Sequence, residues 1–373
     1  MPCINKIISD FVCQEISDAL RKRMKISSGG TIGILGGGQL GRMTARAAAR
    51  LGYRTHVYTP EQGSSAVLVA DDFTIAEFDD AAALAGFAGS VDVVTYEFEN
   101  IPVRAVETVA DITLVYPNAN ALRLCQNRVR EKSLCRDLEI PTAPWREVLD
   151  LDSARATLAE LGGAMILKTA EMGYDGKGQW KITTPDDLRA VAFAAPLIAE
   201  GIVNFDFEIS VIAARGQVGE IKCYPPVRNV HRDHILWQTY APAELAPALA
   251  ARAENYAVRL AEKLDITGLL AVEMFVCGDE ILVNEMAPRP HNSGHWTMEG
   301  CACSQFEQLV RAICGLPLGD VTPLGKFVMT NLIGDEIAQA DAFAREANTF
   351  VHTYGKTEAR PGRKMGHMTR KIN

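Results

Sequence analysis

The chain is 373 residues long, 48% hydrophobic and 23% charged, the make-up of an ordinary soluble globular protein with room for two or three domains. A net charge of −8 argues against a nucleic-acid binder and leaves open only a local basic pocket for a phosphate. Nine cysteines without a CxxC pair, and a Cys301-Ala302-Cys303 couple too tight for zinc, fit a reduced cytoplasmic protein, and no apolar run reaches the ~18 residues of a membrane span.

Residues 1–28 read as an N-terminal extension. Ile8, Phe11, Val12, Ile16 and Leu20 have helical spacing, without the uniform apolar stretch of a secretory signal. Either this is a short amphipathic helix, or translation begins at Met24. From Thr31 the pattern is strand, Gly turn, helix and strand: Thr31–Leu35, Gly36-x-Gly38-x-x-Gly41, a helix from about Gln39, and Arg54–Tyr58. This predicts a Rossmann-like sheet over 29–125, its glycines letting backbone N–H groups approach an anion at a helix N-terminus. The second strand ends without an acidic ribose reader, which counts against NAD. VDVVTYEFEN continues the alternation and brings Tyr96, Glu97 and Glu99 to a strand end, where open α/β sheets bind ligands.

One helix is expected from about 117–120 to Ile140, with Arg128 and Lys132 on one face, and the prolines at 141 and 144 mark a linker. A lid domain over 126–203 follows. Lys168 ends a short apolar strand, and EMGYDGKGQW supplies Gly173, Gly176 and Gly178 for a lid over phosphates, though not a Walker A loop. In the next strand Phe205, Phe207, Ile209 and Val211 are expected on one face and Asp206, Glu208 and Ser210 on the other. Residues 204–373 form the last expected domain, ending in a basic segment whose Pro361-Gly362 and Gly366 turns suit a phosphate pocket of Lys356, Arg363 or Lys364.

The chemistry concentrates in LLAVEMFVCGDEILVNEMAPRPHNSGHWT. It reads as a hairpin whose second strand stops at Asn284 and Glu285 and unwinds into a loop with Arg289, His291, Asn292 and His295. A two-residue loop at 278–279 pairs Glu273 with Asn284 and sends Glu273 and Glu285 to opposite faces. An odd loop, 278–280, sets the carboxylates directly across from one another. We expect the odd loop, with one Mg²⁺ between two like charges that otherwise repel.

Taken in order, GGGQLGRM, YDGKGQ, EMAPRPHNSGH and PGRKMGH resemble the ATP-grasp superfamily and, within it, the 5-(carboxyamino)imidazole ribonucleotide synthetases of purine biosynthesis, over roughly residues 31–368. The resemblance implies an α/β and α+β ATP-grasp fold: a Rossmann-like N-terminal domain, a lid subdomain and a C-terminal ATP-grasp half. It implies ATP and Mg²⁺ as cofactors, bicarbonate and 5-aminoimidazole ribonucleotide as substrates, and a homodimer. ATP would contact Arg128, Lys168, the lid (Gly173, Tyr174, Asp175, Gly176, Lys177, Gly178, Gln179), the hinge (Glu200, Gly201, Ile202, Val203), Glu208, His231, Asn284 and Glu285. The metal falls on Glu273 and Glu285. The ribonucleotide site takes Gln39, Tyr96, Tyr174, Asp175, Lys177, Arg289, His291, Asn292, Lys356, Arg363 and Lys364. Asp175, Arg289 and His291 are the catalytic candidates. Two departures stand out: Ala287 replaces the Asn that many relatives carry two positions after the second metal Glu, and the chain stops soon after GRKMGH. A formate- or amino-acid-dependent ATP-grasp ligase, a nicotinamide oxidoreductase and a non-catalytic ATP sensor are the rival readings.

Overall fold

The structure, a computed structural model, describes residues 25–171, 178–193 and 196–372. The expected N-terminal helix and the lid residues Gly173, Tyr174, Asp175, Gly176 and Lys177 lie outside the described residues.

Among the described residues the strands form three sheets. The first is parallel, in the order β3-β2-β1-β4-β5, with β1 Thr31–Leu35, β2 Arg54–Thr59, β3 Asp72–Ile75, β4 Val93–Tyr96 and β5 Leu114–Val115. β4 is buried along its whole length and β1 from Ile32 on, because the sheet is covered on both faces. The helix Gln39–Arg50 lies on one face. Its Met43, Ala45, Ala47 and Ala48 enter a core shared with the helix Gln305–Ile313.

The second sheet is small and antiparallel, ordered β6-β9-β7-β8: β6 Trp145–Val148, β7 Met165–Thr169, β8 Gln179–Ile182 and β9 Leu197–Gly201. Leu158 of the helix Leu151–Glu160, which Asp150 caps through a reciprocal bond with Ser153, packs into its core.

The third sheet is antiparallel and has nine strands, ordered β15-β14-β10-β12-β13-β16-β18-β17 with β11 beside β10. These are β10 Phe207–Arg215, β11 Ile221–Cys223, β12 Val227–Arg232, β13 Ile235–Ala241, β14 Gly268–Cys277, β15 Glu280–Ala287, β16 Lys326–Ile333, β17 Thr349–Thr353 and β18 Lys364–Ile372. One face carries Ile209, Val211, Val272 and Val276 against Ala253, Ala257 and Leu260 of the helix Pro247–Lys263. Each fully buried Leu or Val there contributes about 1.5–3 kcal/mol.

Three local expectations are corrected. The long helix after Pro117 is two helices, Ala119–Cys125 and Arg128–Asp137, broken at Gln126-Asn127. Asn127 accepts from Arg130 N at 3.0 Å as an N-cap, and Gln126 Nε2 donates to the carbonyls of Glu99 and Ile101, so side chains outcompete helical continuation. The basic C-terminal segment is largely the strand β18, paired on both sides. Phe205 does not share the core face of Phe207 and Ile209. It precedes β10 and stacks on Phe275, centroids 4.6 Å apart, along the cleft.

Candidate active site

The two metal candidates meet, by a route other than the expected one. The hairpin loop is the two-residue Gly278-Asp279, since Cys277 pairs with Glu280. Gly278, at φ +57, takes the left-handed conformation such a turn demands. That register holds through Met274 with Val283 and then shifts, so that Glu273 pairs with Glu285 and Asn284 is left over. A β-bulge at Asn284 thus does what the odd loop was expected to do. Two residues opposing one turn toward the same side, which is why Glu273, Asn284 and Glu285 all line a single cleft of about 980 Å³.

Arginine and histidine side chains surround the pair. Arg128 Nη1 reaches Glu285 Oε2 at 2.7 Å. His291 Nε2 lies 3.0 Å from Glu273 Oε1. Burial alone would raise the Glu273 carboxyl, but His291 first, then His231 and Arg289, bring it down to about 2. Behind Arg128, Glu131 is fully enclosed and accepts from Met286 N at 2.9 Å. Burial pushes its carboxyl up, Arg128 opposes and Glu285 adds to the rise, leaving it at about 8.

The Arg128–Asp137 helix also delivers Lys132. It is among the largest fully buried side chains. Its Nζ donates to Val283 O at 3.2 Å and lies 3.3 Å from Glu200 Oε1, while Lys168 Nζ takes Glu200 Oε2 at 2.6 Å. Burial would raise Glu200, yet Lys132 and then Lys168 hold it near 2. The Glu200 side chain is therefore committed inward, and the hinge offers its backbone and the side chains of Ile202 and Val203 to the cleft.

The glycine-rich turn already contains its anion. Glu97 accepts from Gly38 N at 2.5 Å and from Gly41 N at 3.0 Å. A side chain on Gly36, which sits at φ +108, would put Cβ 2.4 Å from Glu97 Cγ; one on Gly38 would lie 2.4 Å from Glu97 Oε1. A dinucleotide pyrophosphate has no place at this helix N-terminus, which removes the basis of the oxidoreductase reading. Beside it Glu99 is paired with Arg289 Nε. Against the rise that burial imposes, Arg289 brings the Glu99 carboxyl to about 2.

Comparison with known proteins finds family matches along most of the chain. Residues 30–126 match the ribonucleotide synthetase preATP-grasp domain, 133–306 the ATP-grasp domain, and 328–371 the phosphoribosylaminoimidazole carboxylase C-terminal domain. The N5-carboxyaminoimidazole ribonucleotide synthase of Brucella melitensis is 48% identical, over 93% of this chain and 98% of its own. The chain belongs to the N5-carboxyaminoimidazole ribonucleotide synthase family. The Bacillus subtilis synthase is 40% identical over 92% of each chain. An ADP complex of a synthetase of this family superposes with a TM-score of 0.90 at 42% identity, covering 93% of both chains. The Aspergillus clavatus enzyme in complex with ADP and 5-aminoimidazole ribonucleotide superposes at 0.87, 33% identical, over 92% of this chain and 94% of that one.

Set beside the N5-carboxyaminoimidazole ribonucleotide synthase family, most expected site residues share the one cleft. Gln39, Arg128, Lys168, Gln179, Glu200, Gly201, Ile202, Val203, Glu208, His231, Asn284, Glu285, Arg289, His291, Asn292 and Lys364 line it with Glu273. Glu208 and His231 form a pair through Oε2 and Nδ1. Burial lowers the imidazole, but Glu208 prevails and raises it. Asn292 exchanges both amide bonds with Asn331, at 3.0 and 2.6 Å. Gly178 takes φ +70 against Thr169.

Tyr96 is corrected. It is wholly buried in the core of the first sheet, its hydroxyl has no hydrogen-bond partner among the described residues, and it is not part of the cleft wall they form. Lys356 and Arg363 also stand back from the cleft wall. Lys356 Nζ donates to Lys364 O at 2.7 Å and Arg363 Nη1 to Glu358 O at 3.0 Å. Burial, then the neighbouring Arg363, lowers the Lys356 ammonium to about 8.

Sequence reasoning missed Glu131 and Lys132 as site residues. Spacing within the Arg128–Asp137 helix put Lys132 beside Arg128 but not its burial. Glu97 and Glu99 were visible at the strand end without their partners, both of which come from distant segments.

Proposed function

We propose that this chain carboxylates 5-aminoimidazole ribonucleotide with ATP and bicarbonate, forming 5-(carboxyamino)imidazole ribonucleotide, ADP and phosphate. One observation carries the reading: the bulge at Asn284 turns Glu273, Asn284 and Glu285 into the same cleft as Arg128, Lys168, Arg289 and His291. The donor set suits a hard divalent cation. It consists of oxygens, and Asn284 Oδ1 is buried without a partner among the described residues. Glu273 and Glu285 would hold Mg²⁺, which when bound supplies charge neutralisation for the phosphates. Ala287 adds no donor.

The chain's own groups do the rest. Lys168 and Arg128, each now paired with a carboxylate, are within the same cleft to take phosphate oxygens. The hinge backbone at 200–203 reads the adenine edge, and Glu208 holds the ribose. Bicarbonate attacks the terminal phosphorus, giving carboxyphosphate and ADP, a step that rests on positioning and charge neutralisation. Arg289 and His291 hold the bicarbonate. Carboxyphosphate releases CO₂ beside the substrate amine, which adds to it and loses a proton, and Asp175 takes that proton. Water is kept out by the lid residues 173–179. Lys364 on the cleft wall, with Lys356 and Arg363 behind it, serves the ribonucleotide phosphate. A cytoplasmic homodimer completes the reading.

A coupled ADP assay tests it. ADP formation should require Mg²⁺ and bicarbonate and should rise with 5-aminoimidazole ribonucleotide. ADP release that responds to formate or an amino acid instead, or none with any acceptor, defeats it.

A further inference from the structure

Hydrogen bonds run out from Glu273 in an unbroken line that becomes buried beyond His291. Glu273 Oε1 lies 3.0 Å from His291 Nε2. His291 Nδ1 lies 2.8 Å from Ser293 Oγ. Ser293 Oγ lies 2.7 Å from Ser210 Oγ, which Asn229 Nδ2 reaches at 3.0 Å, and Thr239 Oγ1 meets Asn229 Oδ1 at 3.0 Å. Ser293, Ser210, Asn229 and Thr239 are all buried. The line crosses the large sheet: Thr239 and Asn229 are paired on β13 and β12, and Ser210 on β10 is directly across from Glu273 on β14. A fully paired polar chain in a sheet interior is costly to place and polarises along its length.

Its direction follows from its ends. At one end a carboxylate faces Nε2, which must carry a hydrogen to meet it. Beside Nδ1 the backbone N–H of Ser293 points in at 3.4 Å, so Nδ1 presents a lone pair. Ser293 Oγ then donates to Nδ1 and accepts from Ser210, Ser210 accepts from Asn229, and Asn229 accepts from Thr239. Reversing the chain would set a hydrogen on Nδ1 against the Ser293 N–H and a bare Nε2 against Glu273. The main chain is held separately: Gln305, itself buried, accepts from His291 N at 2.9 Å and donates to His291 O at 2.8 Å.

We infer that Ser293, Ser210, Asn229 and Thr239 are positioning residues that lock His291 in the Nε2–H form. His291 is thereby a fixed hydrogen-bond donor, to Glu273 in the free protein and to bicarbonate when Glu273 turns to a cation. It does not accept the amine proton. The catalytic consequence rests on the function proposed above; the tautomer does not.

The test is made on the full chain, ¹⁵N-labelled in histidine and free of ligand, with His291 assigned by the signals lost in His291→Gln. The wild type should show a pyridine-like Nδ1 and a pyrrole-like Nε2. Ser293→Ala should move both toward averaged positions. Thr239→Val keeps the volume and deletes the far hydroxyl; it should shift the His291 signals in the same sense and lower kcat about five- to tenfold, the effect of one neutral hydrogen bond. Thr239→Ser keeps the hydroxyl and drops the methyl, and should behave as wild type. A purely packing role gives the reverse order, with Val near wild type and Ser impaired, and overturns the inference. Unchanged His291 signals in both Ser293→Ala and Thr239→Val overturn it as well. A wild type that forms no bicarbonate-dependent ADP defeats the functional reading and leaves the tautomer result to be judged alone.

Discussion

Lys132→Met isolates the buried ion cluster beneath the cleft. Methionine retains most of the stem and removes the charge. In the native fold Glu200 sits at about 2 rather than 4.5, a preference for the charged form of about 3 kcal/mol. Its sign is set by a depressed acid: the stability is present above 4.5 and is lost as pH falls through about 2. Lys132 makes the largest single attractive contribution, followed by the charge and the hydrogen bond of Lys168 and then by Arg128. Its loss, with that of the bond to Val283 O at 3.2 Å, should cost about 2–3 kcal/mol, the range for breaking a buried pair less the ammonium desolvation regained. At about 2–4 °C per kcal/mol, the thermal midpoint at neutral pH should fall by about 5–10 °C, and the acid decline should begin at higher pH. In a Glu200→Gln background the same substitution should cost far less, because the charge it served is gone. An equal fall in both backgrounds would mean that the two residues do not interact and would refute the electrostatic account.

Other outcomes follow from the same structure. Glu131 is raised to about 8, so its contribution is complete below 4.5 and lost as pH rises through 8; Glu131→Gln should flatten the fall in Tm between pH 5 and 8, and parallel curves would count against a buried protonated acid. Gly36→Ala, at φ +108 and 2.4 Å from Glu97 Cγ, should cost more than about 2 kcal/mol, and an unshifted Tm would show that the turn relaxes. Phe205 stacks on Phe275 in the cleft; Phe205→Ala should raise KM for ATP about five- to tenfold with kcat unchanged, the mark of lost uniform binding, whereas a kcat loss at constant KM would take the stack away from the nucleotide.

Local pattern carried a great deal. The β1 run, the glycine turn and the helix from Gln39 were legible because backbone conformation and apolar periodicity act over a few residues. So was the hairpin that holds Glu273 and Glu285, down to their facing one another. The reason for their facing was not. An even loop and a bulge give the same pairing as an odd loop, and only the ladder of hydrogen bonds along β14 and β15 tells the two apart.

The helix after Pro117 marks the same boundary in another way. Its composition continues smoothly through Gln126 and Asn127, yet the chain breaks there because the carbonyls of Glu99 and Ile101 offer Gln126 a better partner. That break aims Arg128 at Glu285 and buries Lys132 against Glu200. Residue types and spacing by themselves determined the strands, the turn glycines and the family strings, since each depends on neighbours along the chain. Which anion fills the glycine turn, which lysine is buried and which nitrogen of His291 carries its hydrogen were decided only by tertiary structure. Each depends on a charge brought in by another element of the fold, and burial turns that contact from a weak surface attraction into a controlling one.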